Sequence, residues 1–197
     1  GVKTLSIAKA IASNSKGYKD IYEFIDNSSY NTEPLPYIEI PSTSRNPFMF
    51  RDEFLITDAR TNDAKILKTK RNTTKSILFD PMITTTLPRR YTGATTIDAL
   101  ANSIEGFFST RSNFLSDTIF LKAIELFSSN IMNAVNVQDD ITSRANLSLG
   151  GLFSSIGLSM SETGITSGLS YVLNAKYKIP KSFSSSILLP HMMDFNI

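Results

Sequence analysis

The polar and apolar positions of this chain change rhythm partway along. Leu5, Ile7, Ala8, Ala10, Ile11 and Ala12 follow a helical spacing that stops at a Ser/Asn/Gly cluster, and Tyr18 to Ile25 suits a second short helix. Pro34 and Pro36 forbid a helix in "EPLPYIEIPSTS", so Tyr37 to Ile40 reads as a short strand closed by Pro41. "EFLITDA" and "KSILFDP" are two more strand candidates, with "RTNDAK" as a polar turn between elements. From Pro88 onward the three-and-four spacing of helices takes over. It predicts helices over Pro88–Phe108, Ser116–Val135 with Ser116 as N-cap, Asp139–Met160, Thr166–Ala175 and Phe183–Phe195. In the second of these the inward positions are Phe120, Ala123, Ile124, Phe127 and Ile131. In the third, Gly150, Gly151 and Gly157 lower helix propensity but permit close contact. The expected architecture is an α/β part over residues 1–84 followed by an all-α part over 85–197, with the change of character near Asp80 to Leu87.

One of these helices carries a polar pair. Asp98 and Asn102 in "TTIDALANSIEGFF" are four residues apart, so their side chains stack one turn above the other, beside an apolar stripe of Ile97, Leu100, Ile104 and Phe108. That spacing serves a ligand or metal, and it also occurs on ordinary helix surface.

Composition narrows the chemistry. Hydrophobic residues make up 41% of the 197 and charged residues 19%, enough apolar material for a packed core. The net charge of +2, from 20 basic and 18 acidic residues, gives no broad basic field, which argues against nucleic acid as a partner. The basic run "KILKTKRNTTK" (Lys65 to Lys75) reads as a solvated loop or a lysine-protected edge strand. There is no cysteine and a single histidine, His191. Disulfides and thiol nucleophiles are thereby excluded, and one imidazole cannot furnish a zinc or iron site. No Gly-x-Ser-x-Gly elbow accompanies His191, which reads as a packing or capping residue after Pro190. No apolar run reaches membrane-spanning length and the first residues lack a signal-peptide order, so a soluble, intracellular chain is expected.

Four stretches, in order, resemble the iron-containing (group III) alcohol dehydrogenases. "GVKTLSIAKAIA" is similar to the family's G-G-G-S-x-x-D-x-A-K-A-I-A, and "PLPYIEIPSTS" to P-L-P-x-I-x-I-P-T-T-A-G-T-G-S-E. "DPMITTTLPRRYTGATTIDALANSIEGFFS" resembles the stretch that opens the family's helical domain, and "GLSYVLNAKYKIPKSFSSSILLPHMMDFN" a later one ending I-L-L-P-H-x-x-x-F-N. The resemblance implies an α/β dinucleotide-binding domain followed by an all-α metal domain, with this chain covering the middle of the usual one. It also implies an NAD(P)-dependent alcohol dehydrogenase whose metal is held by one aspartate and three histidines. Asp98 stands at the aspartate position. Asn102, Ser167 and Lys181 stand at the three histidine positions, and Tyr171 replaces a histidine linked to proton relay. An amide and a hydroxyl are poor ligands and an ammonium is none, so no iron or zinc is expected.

The cofactor motifs depart as well. Of the phosphate-binding glycines only Gly1 is present, followed by Val2 and Lys3, and Ser6 replaces the aspartate that follows them in the family. Ser42 and Thr43 keep hydroxyls suited to NAD(P), whereas Arg45, Pro47 and Phe48 are expected to fill space that the cofactor uses. If the fold is kept, Lys181 projects into the metal's place and pairs with Asp98, with Asn102 and Ser167 hydrogen-bonded nearby. The alternative leaves Asp98 an ordinary helix carboxylate. Tyr171 reads either as a cleft-wall residue or as a phenol acid. Glu105 reads as structural, and Met192 and Met193 as core. Three functions follow: a non-catalytic member kept for structure or assembly with a protein partner or its own copies, a metal-independent NAD(P)-dependent reductase in which Tyr171 or Lys181 polarises a carbonyl, and a small-molecule binder using the cleft.

Overall fold

Thirteen residues from Val2 to Asn14 form the first helix, α1, in a computed structural model that describes residues 1–17, 20–27 and 33–196. Then come α2 (Ile21–Asn27), β1 (Tyr37–Glu39), β2 (Glu53–Asp58), β3 (Asp63–Lys68) and β4 (Thr74–Ile77). The expected helix at Tyr18 thus begins at Ile21 among the described residues, Tyr18 and Lys19 lying outside them. The strands pair two and two. β1 and β4 run parallel, and β2 and β3 form an antiparallel hairpin in register from Glu53–Lys68 to Asp58–Asp63. "RTNDAK" is therefore only partly a turn: Ala59 to Asn62 make the reversal, with Asn62 at φ 55, and Asp63 to Lys65 already belong to β3. The expected strand at "KSILFDP" ends at Ile77. A small core of Ala10, Phe24, Ile25, Phe54 and Leu67 joins α1, α2 and the hairpin, with the rings of Phe24 and Phe54 stacked at 6.0 Å.

A 3-10 segment (Pro81–Thr86), capped by the Asp80 carboxylate, leads into five helices: α3 (Arg89–Phe107), α4 (Phe114–Asn136), α5 (Ile141–Met160), α6 (Ile165–Tyr177) and α7 (Lys181–Asn196). The chain is mostly helical. Asn113, not Ser116, is the N-cap of α4. Its side chain accepts from Leu115 and Ser116 N–H, while the Ser116 hydroxyl returns to Asn113 in a capping box. The sequence put the cap at the serine, but the asparagine begins the helix a turn earlier. Phe120, Ala123, Phe127 and Ala134 form the buried stripe of α4, whereas Ile124 and Ile131 are only half-buried. α5 lies close against this stripe: a Cβ at Gly157 would sit 2.5 Å from the Phe120 ring, so only glycine fits there. α7 continues past Pro190, and His191 is exposed within it, neither packing nor capping. Met192 takes the core position. No described helix is long and apolar enough to cross a membrane.

Helix α3 packs against α4, α5, α6 and α7. Its buried side is made of alanines (Ala94, Ala99, Ala101) and polar residues: Thr96, Asp98, Asn102, Ser103 and Glu105 are inside, while Ile97, Leu100 and Ile104 are half-buried and Phe108 is exposed. Buried polar groups must find partners, and the ends of α6 and α7 together with one loop provide them. That loop, Pro41 to Phe50, is clamped from two sides. The Lys9 ammonium, buried under it, donates to the carbonyls of Phe48 (2.9 Å) and Arg51 (2.8 Å). From α5, Ser155 Oγ donates to the carbonyl of Asn46 (2.7 Å), and Gly151 leaves room for the backbone of Ser44. The clamp aims Arg45 at α3.

Candidate functional site

Glu105 builds the first part of the site. Its carboxylate accepts the N–H groups of Gly164 (3.1 Å), Thr166 (2.6 Å) and Ser167 (3.4 Å), which caps the N-terminus of α6. The cap brings Ser167 over α3, where its hydroxyl donates to Asn102 Oδ1 at 2.6 Å. Lys181, the first residue of α7, reaches back so that its ammonium lies 2.8 Å from Asp98 Oδ1 and 3.4 Å from Ser185 Oγ.

The other Asp98 oxygen is also occupied. Arg45 Nε meets Oδ2 as an ion pair that lacks hydrogen-bond alignment, and Arg45 Nη2 donates to the Tyr171 hydroxyl at 3.0 Å. The Tyr171 ring receives both cations, Lys181 Nζ 4.8 Å and Arg45 Cζ 5.8 Å from its centroid, and the Phe48 ring lies tilted against it at 6.3 Å. Asp98, Tyr171, Lys181 and Arg45 are each more than nine-tenths buried. Arg45 is the residue that sequence reading did not assign to the site. Its signal in the sequence is an arginine in a run where the family resemblance calls for small residues, which by itself suggests only bulk in the cofactor's space. Of Arg45, Pro47 and Phe48, only Arg45 reaches the cleft; the other two are buried away from it.

Electrostatics follow from this packing. Burial alone would raise the Asp98 carboxyl, but Arg45 and then Lys181 outweigh it and hold Asp98 below its usual range. Burial, reinforced by Arg45, lowers the Lys181 ammonium to about 8 despite the attraction of Asp98. The Tyr171 phenol is pushed up, chiefly by burial, with Arg45 opposing and Asp98 adding to the rise.

The group opens onto a cleft of about 1450 Å³, lined on one wall by the first turn of α1 (Val2, Lys3, Thr4) and on the others by residues including Thr43, Arg45, Asp98, Tyr171 and Lys181. Thr43 spends its hydroxyl on the Arg45 carbonyl (3.2 Å), and Ser42 is half-buried outside the lining.

The four positions that the sequence resemblance assigns to the metal, Asp98, Asn102, Ser167 and Lys181, thus hold a carboxylate with a cation on each oxygen, an amide engaged by a hydroxyl, and an ammonium. Among the described residues no three His, Cys, Asp or Glu side chains gather to hold a metal ion. This donor set does not fit divalent iron or zinc, because Lys181 and Arg45 already supply the positive charge that the carboxylate would offer to a metal.

Among known proteins, 1,3-propanediol dehydrogenase of Klebsiella pneumoniae is 22% identical over 187 residues, 95% of this chain and 48% of that protein. Lactaldehyde reductase of Escherichia coli (strain K12) is 26% identical over 189 residues, 96% of this chain and 49% of that one. The chain spans about half the length of the curated relatives it matches. Two solved structures share the fold: a 1,3-propanediol oxidoreductase (TM-score 0.90, 22% identity, 99% of this chain and 51% of that one) and a sulfoacetaldehyde reductase from Bifidobacterium kashiwanohense in complex with NAD+ (TM-score 0.91, 19% identity, 100% and 52%). The model of the Fe-containing alcohol dehydrogenase family, C-terminal, matches residues 92–197, the stretch that holds Asp98, Asn102, Glu105, Ser167, Tyr171 and Lys181 but not Arg45. This chain belongs to the iron-containing alcohol dehydrogenase family.

Proposed function

We propose that the chain keeps the scaffold of its family without the metal-dependent chemistry, and that it serves a structural or assembly role rather than hydride transfer. The observation that supports this reading is the doubly neutralised Asp98: Lys181 lies 2.8 Å from one oxygen and Arg45 touches the other. A carboxylate so paired has its charge already neutralised, and a divalent cation drawn to it would face the repulsion of two buried cations. Assembly has a surface to use, since Ile165, Leu169 and Val172 expose one apolar stripe along α6. A protein partner or a second copy of the chain is the proposed occupant, and residues 1–84 are proposed as a partial nucleotide-binding-type domain beside the helical one.

A second reading has its own observation. The cleft is roomy, and the open first turn of α1 with Lys3 suits the phosphates of NAD(P). The nicotinamide, when bound, supplies a hydride. The Tyr171 hydroxyl, held by Arg45, would then give its proton to the oxygen of a carbonyl substrate. The raised pKa of Tyr171 weighs against it as an acid. The test is metal analysis after incubation with iron or zinc, followed by NADH and NADPH oxidation with short aldehydes. The first reading expects neither stoichiometric metal nor turnover. Turnover without metal that Tyr171→Phe abolishes would establish the second, and bound metal with metal-dependent turnover would overturn both.

A further inference from the structure

Charge at the floor of the cleft does not balance. Arg45 and Lys181 bring two positive groups to Asp98, which brings one negative. The next acid along α3, Glu105, also attracts Lys181, but its carboxylate is engaged by three N–H groups of the α6 terminus and does not line the cleft. Hydrogen bonding is unbalanced in the same direction. A guanidinium has five N–H donors and an ammonium three. Arg45 turns Nε to Asp98 and donates from Nη2 to Tyr171, and Lys181 donates to Asp98 and Ser185. Most of the guanidinium fork and one ammonium hydrogen thus have no acceptor among the described residues. The Tyr171 hydroxyl accepts from Arg45 and keeps its own proton to give. Arg45, Lys181 and Tyr171 are nine-tenths or more buried, yet all three line the cleft. The same lining carries Lys3 and Lys178 against Asp20, so the field of the cleft draws negative charge inward.

We propose that Arg45, Lys181 and Tyr171 form an oxyanion-binding site at the floor of this cleft, which takes the carboxylate or phosphate group of a small metabolite. Asp98 is its internal counterion: it holds the two cations side by side against their repulsion and leaves one positive charge for the ligand. The forked guanidinium matches two oxygens of one group, and the ammonium and the phenol add single donors from the side. The ligand preference of this position is then the reverse of a metal site's, anion in place of cation. The proposal does not depend on whether the chain turns over a substrate, and its test uses neither metal nor nicotinamide.

Isothermal titration and thermal shift with acetate and with inorganic phosphate, each against chloride at equal ionic strength, read the site directly. Acetate or phosphate is expected to bind and to raise Tm. Tighter acetate would identify a carboxylate as the group recognised, and tighter phosphate a phosphorylated metabolite. Arg45→Met is expected to weaken binding by about tenfold or more, and Arg45→Lys to recover part of that loss. Lys181→Met, which leaves Asp98 paired with Arg45, provides a second variant if Arg45→Met does not fold. No binding of either anion beyond chloride by the unaltered protein would overturn the proposal, as would unchanged affinity in the folded variants.

Discussion

Replacing Lys181 by methionine and Asp98 by asparagine breaks one ion pair from its two ends, and the two replacements are expected to have opposite consequences. Lys181 keeps its proton in the folded protein only up to about 8, against an ordinary 10.5, because burial and Arg45 outweigh Asp98. At about 1.4 kcal/mol per pH unit, carrying that proton into the folded site near neutral pH costs roughly 3 kcal/mol. Lys181→Met removes the cost and leaves Asp98 with Arg45, so it is expected to be neutral or stabilising by up to about 3 kcal/mol near pH 7. Asp98→Asn leaves two buried cations facing each other and is expected to cost about 3–5 kcal/mol. The pH dependence has a definite sign. The lysine's folded pKa is depressed, so between about 8 and 10.5 the unfolded chain binds more protons and the unaltered protein gains stability as pH rises. The advantage of Lys181→Met should therefore shrink by about 2 kcal/mol between roughly pH 7 and pH 9.5. Urea unfolding followed by far-UV circular dichroism at the two pH values measures this. A loss of more than about 2 kcal/mol for Lys181→Met near pH 7 would refute the reasoning, because Lys181 would then be a net contributor to stability through its charge.

Two further outcomes are expected. Glu105→Ala leaves the N–H groups of Gly164, Thr166 and Ser167 without their acceptor; thermal melts should show a loss of about 1–3 kcal/mol. Glu39, buried on β1, has its carboxyl raised by burial to about 7 despite the attraction of Lys9. The folded chain then binds the extra proton, so this contribution is complete below about 4.5 and is lost as pH rises through about 7. Glu39→Gln should match the parent near pH 4 and exceed it by about 3 kcal/mol near pH 8 in denaturant titrations at both pH values.

The helices after Pro88 were legible in the sequence because their partners are one another: α4 shows Phe120, Ala123 and Phe127 at helical spacing, and those residues are the ones buried. α3 defeats the same rule. Its large apolar residues are at most half-buried and many of its polar residues are inside, since alanines serve its contact with α4 and α5 while helix ends and a loop bring partners to Asp98, Asn102 and Glu105. Periodicity records which side of a helix is greasy. It does not record that a carboxylate at Glu105 will cap a helix sixty residues on. The lysine opposite Asp98 could be foreseen only through the family resemblance, which locates the position. Arg45 could not be, because it sits in an aperiodic loop whose direction is set by Lys9 and Ser155, residues distant from it in sequence. That missed residue decides the character of the site. With Lys181 alone, Asp98 would be neutralised one to one and the floor of the cleft would be closed to further charge. With Arg45 added, two cations share the one carboxylate at the floor of the cleft, so the position that the family resemblance assigns to a metal presents positive charge instead.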